Sequence, residues 1–135
     1  GLADALHAEV SSFTERTGLP VTLDVGPGMP DVPTDVALAL YRIVQEALRN
    51  AWSHAAASRA SVHVACASGA LVIEVRDDGK GFDPQARRGR AGIGLSTMRE
   101  RARLAGAELQ VTSRPGEGTR VQVRWPSPPT ADAQG

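Results

Sequence analysis

Cysteine is nearly absent from this 135-residue chain. The single thiol, Cys66, rules out an internal disulfide framework and a metal site built from several thiolates. It fits a reducing cytoplasm, the expected location. An excess of one charge sign is also lacking. Fifteen Lys and Arg balance fifteen Asp and Glu, so no net field draws the chain to nucleic acid or an anionic membrane. No apolar run approaches the ~20 residues of a membrane helix, and no stretch reads as a signal peptide. No repeat recurs. What is present suits one ordinary domain, with a hydrophobic fraction of 41% that is enough for a core. The chain starts inside a helical pattern, so it is expected to be a fragment of a longer protein. Any membrane segment of that parent would then be invisible here.

Residues 3–16 read as a helix, and Val21 to Val25 alternates as a strand does. After a Gly-Pro loop, Pro33-Thr34-Asp35 opens a long helix. Its apolar residues Val36, Leu40, Ile43, Val44, Ala47, Leu48 and Ala51 have the spacing of one buried stripe. Ala60–Ala67 and Ala70–Asp77 read as strands joined by a tight Ser68-Gly69 turn. No pattern claims Asp78 to Ala91. A helix is expected from about Leu95 to Ala105, stopped by Gly106. A hairpin follows, Glu108–Ser113 and Thr119–Trp125, and the tail from Pro126 is expected to be disordered. The order α-β-α-β-β-loop-α-β-β is dominated by hairpins. It predicts an α+β two-layer sandwich, with a mixed, mostly antiparallel sheet and helices on one face.

Four constellations can carry chemistry. Glu46, Asn50 and His54 stand four residues apart, which drifts only roughly 80° around a helix. They form a polar row at the rim of the apolar stripe. Asn50 offers a neutral carbonyl oxygen suited to Mg²⁺ beside phosphates, Glu46 a base or water-orienting group, and His54 a donor. For this row alone a solvated helix face with a rim histidine is the simpler account. Asp77 continues the strand face of Leu71, Ile73 and Val75, where a carboxylate is costly unless something bonds to it. An adenine amino group is one such donor, and Gly79 and Gly81 would let the backbone approach a flat ring. An ordinary Asp-Gly turn is the alternative. Gly92-Ile93-Gly94-Leu95-Ser96 is expected to open a helix whose free N–H groups suit phosphate. It is neither a Walker loop nor a dinucleotide fingerprint. Thr119 shares strand parity with Val121, Val123 and Trp125, so if those face the core its hydroxyl does too, with room to sit beside Asp77; taken alone, an ordinary turn threonine is the simpler reading.

Each element is weak alone, and their order carries the weight. The stretch Tyr41 to Ala51, ending at His54-Ala55, resembles the N box of the ATPase domain of bacterial sensor histidine kinases. These belong to the superfamily shared with gyrase, Hsp90 and MutL. Asp77-Asp78-Gly79-Lys80-Gly81-Phe82 resembles the first glycine box of that family, and Gly92 to Arg101 the second. Gly116 to Trp125 resembles the closing hairpin. Together they span about residues 19 to 126. The Gln-Glu-Ala-Leu-x-Asn form and the Met-Arg-Glu-Arg helix resemble those of the nitrate and lipid-fluidity sensors, which usually pair with helix-turn-helix response regulators.

The resemblance implies a Bergerat-type ATP site. Asp77 would bind the adenine amino group, with Thr119, Gly79 and Gly81 beside it, and Asn50 would coordinate Mg²⁺. Glu46 would activate the acceptor or water, and His54 would sit near the phosphates. Gly92, Gly94 and Leu95 would bring the lid and helix onto the phosphate tail. Phe82 to Ala91 would be a short lid made basic by Arg87, Arg88 and Arg90, although a solvated charge run explains any one of these arginines as well. His7 lacks the acidic residue that follows the family's phosphoacceptor, and His63 lies mid-strand. Neither is an expected acceptor. Residues 1–17 then read as a connector from a missing dimerisation hairpin, 18–126 as the ATPase domain and 127–135 as the tail. The implied partners are a dimerisation and histidine-phosphotransfer domain of the same protein and a response regulator. No direct nucleic-acid or membrane contact is expected of this fragment, which should be monomeric. An anti-sigma-factor serine kinase and a non-catalytic, nucleotide-gated interaction module are the alternatives.

Overall fold

The computed structural model describes residues 1–83 and 89–127, with side chains from residue 94 onward in the second segment. The tail expected to be disordered from Pro126 is ordered at its start, where Pro126 ends the last strand opposite Ala70 and the Ser127 N–H bonds to the Gly69 carbonyl at 2.9 Å; residues 128–135 lie outside the described residues, as do Arg87, Arg88 and the Arg90 side chain of the expected lid. The elements run α1 (Leu2–Thr17), β1 (Val21–Val25), α2 (Thr34–Ser53), β2 (Ala60–Ala67), β3 (Ala70–Asp77), α3 (Gly89–Leu104), β4 (Glu108–Ser113) and β5 (Thr119–Pro126). The strands form one sheet in the order β1-β2-β3-β5-β4. β1 pairs parallel with β2 and the other pairs are antiparallel. The expected mixed, mostly antiparallel two-layer architecture is what the chain adopts. Among the described residues no helix is long and apolar enough to cross a membrane.

The core lies between the helices and one face of the sheet. Every apolar residue of the predicted α2 stripe is buried, from Val36 to Ala51. Opposite them stand Val62 and Val64 of β2, Ile73 and Val75 of β3, and Val121 and Val123 of β5, all buried. Alternation brought these residues to one face, as a pleated strand requires. Trp125 continues that row and is 6% exposed.

The first helix packs as a layer of this same core. Leu2, Leu6, Val10 and Phe13 recur at helical spacing and belong to the cluster that holds Leu40 and Ile43. Glu9 is buried too, at a place where a lone carboxylate would be costly. Its oxygens accept from Tyr41 Oη at 2.8 Å, Gln45 Nε2 at 3.2 Å and Arg16 at 3.4 Å, which ties α1 to α2. A segment expected to be a connector is thereby fastened to the domain by apolar contacts and by a satisfied buried charge.

α3 departs from expectation at its start. It begins at Gly89, about six residues before the predicted Leu95, so Gly92 and Gly94 lie inside the helix. Glycine lowers helix propensity by about 1 kcal/mol relative to alanine, but packing overrides that cost here. A Cβ at position 94 would lie 3.3 Å from Asn50 Nδ2 and would clash with the Glu46 carboxylate. The missing side chain lets α3 lie close against α2. The helix ends as predicted: Gly106 has φ +73 and Ala107 N–H bonds to the Ala102 carbonyl at 2.8 Å.

Candidate functional site

A cavity of about 160 Å³ opens where the C-terminal half of α2, the end of β3, the start of β5 and α3 meet. Its apolar wall is Ala47, Leu95, Met98 and Val121, and its polar groups are Asn50, His54, Asp77, Lys80 and Thr119. Apolar walls with a few convergent polar groups are the usual composition of a small-molecule site.

Asp77 and Thr119 are direct cross-strand partners, so their side chains share the face that parity predicted. Burial pushes the Asp77 carboxyl above its ordinary value. The Gly79 N–H pulls it down, Asp78 raises it again and the Thr119 N–H lowers it, with a net upward shift. Its Oδ1 accepts the Gly79 N–H at 2.8 Å. The neighbouring Asp78 faces the other way and acts as a clasp. It accepts from the backbone N–H of Ser58 at 2.8 Å and of Arg59 at 3.1 Å, and from the Ser58 hydroxyl. That hydroxyl and the Arg59 N–H draw the Asp78 carboxyl down to about 2. The Asp-Asp pair thus divides the work: one carboxylate looks into the cavity and the other anchors the loop to the start of β2.

The glycines of this loop carry a packing demand of their own. A Cβ at Gly79 would lie 2.5 Å from both Cβ and the carbonyl oxygen of Ala55. Gly81 has φ +66, and a Cβ there would run into the Arg114 carbonyl. The close approach is made by the chain's own backbone. Lys80 N–H bonds to the Ala55 carbonyl at 2.8 Å, and Gly116 N–H to the Lys80 carbonyl at 2.5 Å. The loop is knitted between the end of α2 and the β4–β5 hairpin.

The polar row on α2 is split. Asn50 and His54 line the cavity, whereas Glu46 lines a neighbouring groove with Arg42, Arg49 and Arg101. A drift of roughly 40° per four residues carries Glu46 past the ridge where α3 packs. Asn50 Oδ1 is buried and, among the described residues, has no hydrogen-bond partner. An orphaned buried acceptor costs about 1–3 kcal/mol, and a neutral oxygen suits Mg²⁺. Among the described residues no cluster of His, Cys, Asp or Glu could hold a metal by itself. A cation here would need oxygens from a phosphate chain besides Asn50.

Gly94 does not open the helix: α3 starts at Gly89, so Gly92 is its fourth residue and the last of the four whose N–H groups lack a helical partner. Gly94 is the sixth residue, past those four. Leu95 is buried and lines the cavity. Sequence reasoning missed Met98, fully buried in the cavity wall, and Ser113 of β4, buried beside Thr119. Their signals were present: Met98 stands one turn beyond Leu95, and Ser113 shares parity with Leu109 and Val111. His7 and His63 are exposed and remote from the cavity lining, and His63 lies 3.6 Å from Asp24.

Residues 35–129 match the family model described as histidine kinase-, DNA gyrase B- and HSP90-like ATPase, and the chain belongs to that family. Among its relatives it is 35% identical over 127 residues to the signal transduction histidine-protein kinase/phosphatase DegS of Brevibacillus brevis, covering 93% of this chain and 32% of that protein. It is 32% identical over 126 residues to the sensor histidine kinase YhcY of Bacillus subtilis, covering 93% of this chain and 33% of that protein. The chain therefore spans about a third of the curated relatives it matches. The histidine kinase domain of the Erythrobacter litoralis EL346 blue-light activated histidine kinase superposes with a TM-score of 0.79 at 28% identity, over 93% of this chain and 60% of that one. The mycobacterial sensor histidine kinase MprB shares the fold, with a TM-score of 0.71 at 20% identity over 95% of each chain.

Proposed function

We propose that this chain binds Mg²⁺-ATP in the cavity and presents the γ-phosphoryl group to a histidine on a separate dimerisation domain of a two-component sensor kinase, for relay to a response regulator. The observation that carries this reading is the orphaned Asn50 Oδ1 in the same cavity as the Asp77–Thr119 pair. One end of the cavity offers acceptors to a base and the other an oxygen to a phosphate-bound cation. Asp77 receives the adenine amino group, while Leu95, Met98 and Val121 cover the ring and exclude water. Asn50 would hold Mg²⁺, which supplies neutralisation of phosphate charge. His54 and Lys80, on the same wall, face the phosphates. Glu46, one turn before Asn50, orients the incoming acceptor from the groove side. Catalysis in this scheme is positioning plus charge stabilisation. By its likeness to the relatives' signalling role, the site works in the cytoplasm with a response regulator, of helix-turn-helix type if the Met98-Arg99-Glu100-Arg101 motif is a guide.

The test is phosphoryl transfer in trans. The chain is mixed with a dimerisation hairpin carrying the acceptor histidine and with γ-labelled ATP. Acid-labile label on the hairpin supports the proposal. Tight ATP binding with no transfer to the hairpin would favour a nucleotide-gated interaction module instead.

A further inference from the structure

Asp77 of β3, Thr119 of β5 and Ser113 of β4 form one row across three strands. Ser113 is 7% exposed, and its Oγ has three neighbours. It accepts from the Phe82 N–H at 2.9 Å, donates to the Gly118 carbonyl at 2.9 Å and lies 2.9 Å from Thr119 Oγ1. A serine hydroxyl has one proton. If Thr119 received it, the carbonyl of buried Gly118 would lose this donor, and among the described residues none of the turn and loop backbone bonds replaces it. Buried carbonyls are rarely left so. The Ser113 proton therefore goes to Gly118, and the Thr119 hydroxyl must donate to Ser113. Its only proton then points away from the cavity that Thr119 lines. On the cavity side Thr119 has lone pairs alone, and ionised Asp77 beside it is also acceptor-only.

We propose that Ser113 is a positioning residue for base selection: it holds the Thr119 hydroxyl as an acceptor, so the Asp77–Thr119 edge takes a purine with an amino group at position 6 and rejects one with a carbonyl. This rests on the nucleotide reading above and adds the residue that sets the polarity of the edge. Without Ser113 the threonine hydroxyl can rotate and donate to a 6-oxo group.

The probes are ATP and inosine triphosphate, which differ at the purine 6-position and its adjoining ring nitrogen. Each is titrated into the 135-residue chain and its variants. Ser113→Ala should lower the ATP preference about tenfold, the weight of roughly one hydrogen bond. Ser113→Thr should retain the preference. In a Thr119→Val background, Ser113→Ala should leave the ratio where Thr119→Val put it. An unchanged ratio in Ser113→Ala, with ATP and inosine triphosphate weakened alike, overturns the proposal and leaves Ser113 a structural clamp on Phe82. If Ser113→Ala does not fold, Thr119→Ser against Thr119→Val decides: the ratio should survive only in the serine variant, and equal ratios overturn the proposal. A wild-type chain that binds neither nucleotide overturns the ATP reading itself, a distinct result.

Discussion

Replacing Asp77 by asparagine should move binding and stability in opposite directions. The carboxylate accepts the Gly79 N–H at 2.8 Å and lies in the cavity wall, where burial pushes its pKa above the ordinary 3.8. An amide is nearly isosteric and keeps one acceptor for Gly79, but it loses the charge and turns a donor toward the base. A hydrogen bond to a charged group contributes about 1.5–3 kcal/mol, so the dissociation constant for ATP should rise roughly 10- to 150-fold. Stability follows a different rule. A raised native pKa means the folded chain holds this proton more tightly than the unfolded chain does. The contribution of Asp77 to stability is then fullest below pH 3.8 and falls as pH rises toward the native value, leaving a constant deficit from this group at neutral pH. Asparagine carries no charge and removes that deficit. Urea unfolding, followed through the fluorescence of buried Trp125, should give a midpoint at pH 7 equal to or above that of the wild type. The wild-type-minus-variant difference should flatten below the window. An unaltered ATP affinity would remove Asp77 from the site. Weaker binding accompanied by a loss of more than about 1 kcal/mol, the ordinary size of a destabilising substitution, would refute the reasoning by making the effect structural.

Gly118 and Gly116 have similar φ values, +76 and +81, but only a Cβ at Gly118 would meet the Asp77 carbonyl. Gly116→Ala should therefore cost about 1–2 kcal/mol, the left-handed backbone penalty alone, and Gly118→Ala a further 1–3 kcal/mol or so of overpacking, read from urea midpoints; equal costs would contradict this account. Asn50→Ala should weaken Mg²⁺-ATP about tenfold yet leave the affinity for adenosine, which has no phosphates, unchanged in calorimetry. Asp78→Asn should remove stability that the wild type has above pH 3.8 and loses as pH falls toward about 2, because the native carboxyl is depressed; unfolding midpoints across that acid range, compared with those of the wild type, give the check.

The elements legible in the sequence were those fixed by local period. The α2 stripe is buried throughout, and the turn at Ser68-Gly69 sets the Ala67–Ala70 register as two-residue hairpins do. Parity alone placed Thr119 opposite Asp77. What escaped the sequence was set by packing between elements. The start of α3 could not be read because glycine signals a helix end locally, whereas Gly94 is kept for the contact with Glu46 and Asn50. Glu46 and Asn50 look like one row on paper, and only the position of α3 separates them into groove and cavity. Ser113 looks like the end of a strand, and its importance lies in three partners from other segments.

The glycine boxes make the same point more sharply. Gly79 and Gly81 read as clearance for a bound ring, and the structure adds a second demand on them, clearance of Ala55 and Arg114. The cavity is thus shaped by a loop held between α2 and the hairpin before any ligand arrives. Side chains added at Gly79 or Gly81 would disturb that knitting first, so loss of binding in such variants reports on the loop. Under the proposed function, Asp77, Thr119 and Asn50, which line the cavity, are the positions where a change would report on the nucleotide.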